Sequence, residues 1–145
     1  MADPARGSIE IDAPAEHVYA TITDFDTVAE WQSACVAANV EERDADGRPV
    51  VVELKLDMKI RQPRYRNRYT HNPPASLHFE MIDGDLKSVK GGYTFEDLGG
   101  GRTRVTYENA VDPGFFVPGP VRKRIAESAV KDLLSQLKAR AESTR

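Results

Sequence analysis

The stretch from Val50 to Ile60 constrains the fold more than any other. Val50, Val52, Leu54, Leu56, Met58 and Ile60 alternate with Val51, Glu53, Lys55, Asp57 and Lys59. Successive side chains of a strand point to opposite faces, so this alternation predicts a strand with one apolar and one largely charged face. Such a strand belongs in an antiparallel sheet that covers one face and leaves the other to water. The rest of the chain must therefore supply neighbouring strands and something apolar to lie across them.

The neighbours are legible. Ile9 and Ile11 alternate with polar residues in Ser8-Ile9-Glu10-Ile11-Asp12. A strand near 36–43 leads into Asp44-Ala45-Asp46-Gly47, a hairpin turn. After Pro63 the alternation resumes: Tyr65, Asn67, Tyr69 and His71 share one face, and Arg64, Arg66 and Arg68 the other. Asn72-Pro73-Pro74 reads as a turn, and Leu77, Phe79 and Met81 continue the apolar face beyond it. Asp83-Gly84-Asp85 is the next turn. The strand from Leu86 to Glu96 sets Tyr93 and Phe95 inward, and Gly91-Gly92 within it predicts a bulge or bend. Gly99-Gly100-Gly101 closes a hairpin to a last strand whose inward face is Val105, Tyr107, Asn109 and Val111.

Two segments break the period of two. Between the first and second strands, Val18, Ile22 and Phe25 recur at helical spacing. This predicts a helix over 14–23, with Asp12 or Ala13 at the cap and Pro14 in the first turn, then a short helix from Asp26 to Trp31. After the loop Asp112 to Pro120, the stripe Val121, Ile125, Ala129, Leu133, Leu137 and Ala141 predicts one long helix. At about 20 residues and 1.5 Å per residue it spans roughly 30 Å, enough to cross a domain. The fold class is α+β: a curved antiparallel sheet of about seven strands wrapped around a long C-terminal helix, with two short helices after the first strand. Residues 1–145 read as a single domain.

Composition excludes several function classes. Lys plus Arg number 20 and Asp plus Glu 23, a formal net charge of −3. That balance gives no general attraction to nucleic acid or an anionic membrane. No apolar run is long enough for stable membrane insertion, and the segment Met1 to Gly7 lacks the apolar stretch of a signal peptide. Cys35 is the only cysteine, so neither an internal disulfide framework nor a multi-cysteine metal site is expected, and a reduced, cytoplasmic setting is.

The segment Ile11-Asp12-Ala13-Pro14-Ala15-Glu16-His17-Val18-Tyr19, followed by Thr23-Asp24-Phe25-Asp26 and Trp31, resembles the opening of the START-like helix-grip superfamily. Within it the polyketide cyclase/dehydrase and lipid-transport (SRPBCC) family is most similar. Glu80 to Lys87, Gly92-Tyr93-Thr94-Phe95, Thr103 to Tyr107, and Asp112-Pro113-Gly114 with Pro118 extend the resemblance over nearly the whole chain. It implies a domain that binds a hydrophobic small molecule (a lipid, polyketide or quinone-like compound) for carriage, sequestration or presentation. Some members are enzymes, so the alternative is a cyclase or dehydratase acting on a polyketide-like substrate. No catalytic signature is shared across the superfamily.

The residues add their own detail. No Gly-rich phosphate loop, His-Glu-x-x-His pair or Gly-x-Ser-x-Gly elbow is present. His17, His71 and His78 fall on different elements, and no metal or other cofactor is expected. Cys35 reads as a buried, inert thiol. A cavity between sheet and helix would be lined by Leu54, Leu56, Met58, Phe79, Met81, Tyr93, Phe95 and Tyr107 from the strands, and by Ile125, Ala129 and Leu133 from the helix. Trp31 is either core or cavity wall. Tyr65, Asn67, Tyr69 and Asn109 bring polar atoms to that face. They either satisfy one another or orient a ligand oxygen. Were a reaction catalysed, His71, Tyr65 and Tyr69 are the candidates for base and enolate donors. Phe115 and Phe116 stand in a Pro/Gly loop, where they cap the core, gate the cavity or touch a lipid surface. Arg61, Arg64, Arg66 and Arg68, with Arg122, Lys123 and Arg124, either pair with Glu53, Asp57 and Glu80 or form a basic surface for a partner. The expected partner is a small hydrophobic ligand, not nucleic acid, and a homodimer is compatible with the sequence.

Overall fold

The computed structural model describes residues 3–58 and 61–145. Seven strands form one antiparallel sheet: β1 Asp3–Ile11, β2 Cys35–Arg43, β3 Pro49–Leu56, β4 Arg64–Asn72, β5 Ser76–Gly84, β6 Ser88–Gly99 and β7 Arg102–Asp112. Their spatial order is β1-β7-β6-β5-β4-β3-β2. Strands β2 to β7 therefore follow as a meander of hairpins, and β1 pairs with the last strand. Two short helices, α1 Ala15–Thr23 and α2 Val28–Trp31, link β1 to β2, and α3 Gly119–Thr144 closes the chain.

The interior face of the sheet is the one that the alternation picks out. Val52, Leu54, Tyr65, Tyr69, Leu77, Phe79, Tyr93, Phe95, Val105 and Tyr107 join one core with α1, α2 and the second half of α3. Pairing aligns these residues in rows across the sheet: Tyr107 faces Tyr93, which faces Leu77, which faces His71. The fold thus needs no feature beyond strand pleat and hairpin register to collect its aromatics on one side.

The helix α3 seats on β1 at Gly7. A Cβ at that position would stand 2.9 Å from Val130 Cγ1 and 3.2 Å from Leu134 Cδ1, so only a bare backbone admits the helix this closely. From Val130 onward Leu133, Leu134, Leu137 and Ala141 are buried, whereas Val121 and Ile125 are 45% and 56% exposed and Ala129 is exposed too. The apolar stripe is continuous in sequence, but only its second half rests on the sheet.

Other expectations are corrected. The ladder runs through Gly91 and Gly92 without a register shift, and the irregularity in the β6–β7 pair falls between Asp97 and Gly99 instead. Gly91 is needed for room: a Cβ there would collide with the Glu108 carbonyl and stand 2.8 Å from the Phe79 ring. Pro14 is the N-cap of α1 rather than a first-turn residue. Strand β3 ends at Leu56, so Met58 follows it, and Ile60 lies outside the described residues. Val51, on the charged side of β3, is fully buried outside the main core, opposite Arg68. Long side chains cover apolar surface with their stems, which accounts for a valine in that row.

Leu54 pairs with Tyr65 inside the core, and Lys55 projects to the other face. Leu54→Asp should cost several kcal/mol, because it buries a charge with no partner, while Lys55→Asp should change little. Thermal unfolding of both variants measures the difference; equal melting would contradict this register.

Candidate functional site

The interior is built from rings with polar tips. Phe25 and Tyr69 stand 5.1 Å apart, Tyr69 and Phe79 5.8 Å, Phe79 and Tyr93 6.3 Å, and Tyr93 and Tyr107 4.7 Å. Such separations suit offset and edge-to-face pairs. Burial pushes the Tyr65 and Tyr93 phenols well above their usual range. Neighbouring tyrosines reinforce both shifts, Tyr69 and Tyr107 for Tyr65, and Tyr107, Tyr69 and Tyr65 for Tyr93. Tyr107 rises through burial and then through Tyr69. Tyr69 rises through burial too, with the Asn67 side chain opposing the shift through a hydrogen bond. The four hydroxyls therefore stay protonated at neutral pH and share one region.

Three side-chain atoms in the described residues are buried without a hydrogen-bond partner: Asn67 Oδ1, Asn109 Oδ1 and Trp31 Nε1. Asn67 is only 1% exposed and sits on the inner face of β4 opposite Val52 and Met81. Asn109, on β7, faces Gly91 of β6 and Ala5 of β1. An orphaned buried acceptor carries a desolvation cost of about 1–3 kcal/mol, so native cores rarely keep one without a use.

His71 does not belong to this polar group. Its Nδ1 accepts from the Tyr19 hydroxyl at 2.7 Å and its Nε2 donates to the Pro49 carbonyl. A carbonyl can only accept, which fixes the proton on Nε2. Both nitrogens are committed to tying α1, β3 and β4 together, so His71 is not a free base in the interior. Sequence spacing put it on the right face but could not reveal these partners. His17 is likewise structural, with Nε2 3.0 Å from both the Ala141 carbonyl and Thr144 Oγ1. Cys35 is buried and its thiol is pushed up by that burial, which leaves it in the unreactive form. Among the described residues, no group of three His, Cys, Asp or Glu could hold a metal, and no helix is long and apolar enough to cross a membrane.

The remaining candidates divide. Leu54, Tyr65, Asn67, Tyr69, Phe79, Tyr93, Phe95, Tyr107 and Leu133 are gathered in the core, and Trp31, Leu56, Met58 and Met81 pack against it partly buried. Ile125 and Ala129 lie on the exposed front half of α3 and do not line that buried interior. Phe116 is 88% exposed, so it does not cap the core. Phe115 is half-buried, with the Arg61 guanidinium 4.4 Å above its ring centre. This cation–π contact joins the β3–β4 loop to the β7–α3 loop. Among the outer arginines, Arg64 and Arg66 are ion-paired, though not with all the carboxylates that the sequence suggested. Arg64 meets Glu53 at 3.3 Å, while Arg66 meets Glu41 at 2.7 Å and Asp83 at 3.0 Å. The surface hollows lie elsewhere. One of about 330 Å³ is on the outer face around Arg68, His78, Glu80 and Lys90; another of about 490 Å³ lies between Ala5 and Arg6 of β1 and Lys123 and Glu127 of α3. Neither is lined by Asn67, Asn109 or the four tyrosines.

Comparison with known proteins fits this architecture. Residues 11–138 match the family model described as polyketide cyclase/dehydrase and lipid transport. The chain belongs to that family. Among solved structures, a START superfamily protein from Mycobacterium smegmatis superposes with a TM-score of 0.89 at 20% identity, over 98% of this chain and 99% of that one. The Zhui aromatase/cyclase from Streptomyces sp. R1128 gives 0.79 at 15% identity, over 98% and 94%. The di-domain aromatase/cyclase BexL, from the BE-7585A biosynthetic pathway, gives 0.73 at 18%, over 97% of this chain and 46% of that one. At these identities the likeness establishes a shared helix-grip fold. No curated protein matches.

The raised phenols set an alkaline limit. A phenol whose folded pKa exceeds its unfolded value of 10.0 gives its full stabilisation below that value and loses it as pH climbs toward the folded one. Stability should therefore fall steeply with rising pH above about 10, the unperturbed tyrosine value. Phenolate absorbance should appear together with loss of ellipticity. Ionisation of all five tyrosines before unfolding would contradict the burial described.

Proposed function

We propose that this protein binds a hydrophobic small molecule, a lipid, polyketide or quinone-like compound, between the concave face of the sheet and α3, and carries, sequesters or presents it. The observation that carries the reading is the set of buried polar atoms without partners, above all Asn67 Oδ1, within an otherwise apolar and aromatic interior. Apolar walls supply binding energy, and a few fixed polar groups select and orient the ligand. The rings already touch one another, so admission of a ligand requires them to part. The elements least tied to the core are the front half of α3, with Val121 and Ile125 exposed, and the loop bearing Phe115 and Phe116. These flank the Arg61–Phe115 contact, which supports an entrance there.

The arrangement favours binding over cyclisation or dehydration. Base catalysis needs a group free to take a proton, and His71 is bonded through both ring nitrogens. The interior tyrosines are held protonated and serve as donors to a ligand oxygen.

Mass spectrometry of protein purified without denaturant tests the reading directly. A bound apolar species released by organic solvent is expected; a persistently empty protein that turns over a polyketone would contradict it. A second expectation concerns the entrance. Because Phe116 is exposed, Phe116→Ala should leave the melting temperature nearly unchanged while altering the uptake rate of a neutral fluorescent lipid probe severalfold. Unchanged uptake would place the entrance elsewhere.

A further inference from the structure

We infer that the ligand is neutral and carries O–H donors at two separated points, as a diol or polyphenol does, and that the site discriminates against carboxylates. The inference rests on the ligand-binding reading above and adds the chemistry of the occupant. Its ground is the sign of the two unmet asparagine atoms on the inner face of the sheet; the third unmet atom, Trp31 Nε1, is a donor outside the sheet. Asn67 Oδ1 and Asn109 Oδ1 are both acceptors, so each is completed by a donor. The Asn67 side chain hydrogen-bonds the Tyr69 phenol in the sense that favours the phenolate, so its N–H end is the partnered one and its oxygen is the end left over.

The two acceptors are far enough apart to need two donors. Asn109 lies on β7 and Asn67 on β4, with β6 and β5 between them. Three strand spacings of about 4.8 Å put their backbones roughly 14 Å apart along the sheet, on the face that also carries Tyr65, Tyr69 and Tyr107. One hydroxyl cannot serve both. A rigid molecule with a hydroxyl at either end can, while its body rests against Phe79, Tyr93 and Tyr107.

The interior also lacks what an anion needs. Among the described residues the buried polar and charged side chains are Asn67, Thr103 and Asp112, and no Lys or Arg is buried. A carboxylate would lose its hydration without meeting a cation and would point oxygen at oxygen at both asparagines. The protonated tyrosine hydroxyls can donate to it, but neutral donors do not offset the desolvation of a full charge.

Calorimetric titration with four probes of one skeleton tests this: biphenyl, para,para-biphenol, its dimethyl ether and the corresponding dicarboxylate. The diol should bind at least tenfold more tightly than the ether, and the dicarboxylate most weakly. Asn67→Leu and Asn109→Leu should each weaken the diol by about five- to a hundredfold, the loss of one buried hydrogen bond, and leave biphenyl unchanged or tighter. An ether or dicarboxylate that equals the diol overturns the inference while biphenyl binding preserves the ligand-binding reading. No binding of any probe, biphenyl included, overturns both. The wild-type comparison decides the matter even if a variant fails to fold.

Discussion

Everything in this fold depends on how α3 meets the sheet. The contact is made at β1, where Gly7 offers bare backbone to Val130 and Leu134. Seating one half of a 26-residue helix there anchors Leu133, Leu137 and Ala141 in the core. It leaves the other half beside Pro4 to Arg6 of β1, with Val121 and Ile125 exposed. A helix buried evenly along its length would produce a filled two-layer domain. Burial of one end leaves the front half of the helix with few anchors in the core.

The polar content of the interior follows from the strands themselves. Strands β4 to β7 turn Tyr65, Asn67, Tyr69, Tyr93, Tyr107 and Asn109 to the concave side because strand pleat and hairpin register dictate it. Once there, phenols can pack their rings and keep their hydroxyls protonated, so they cost little. An asparagine has no such compromise. Two asparagine oxygens buried without partners are a standing cost that stability alone would remove by substitution to leucine.

Much of this was legible in the sequence because it is periodic. The alternation from Val50 to Leu56 fixed both strand and face, and the row Tyr65, Asn67, Tyr69 was assigned to the interior from spacing alone. What escaped was whatever depends on contacts between distant segments. Spacing makes His71 a candidate base, but Tyr19 and Pro49, from other elements, occupy its two nitrogens. The stripe Val121, Ile125, Ala129 is as regular as the one after it, yet burial begins only at Val130, which packs over Gly7. Gly91-Gly92 read as a bulge because glycine in a strand interior usually marks one; here it makes room for the Phe79 ring and a neighbouring carbonyl.

The central claim is that the ligand site is the asparagine-bearing interior and not a surface hollow. Side-chain amide resonances report on this residue by residue. Asn67 and Asn109 face the interior, whereas Asn39 and Asn72 are exposed and serve as internal references. On titration with para,para-biphenol, the amide signals of Asn67 and Asn109 should shift and saturate together while those of Asn39 and Asn72 stay in place. Saturable binding that leaves Asn67 and Asn109 unmoved would contradict the account.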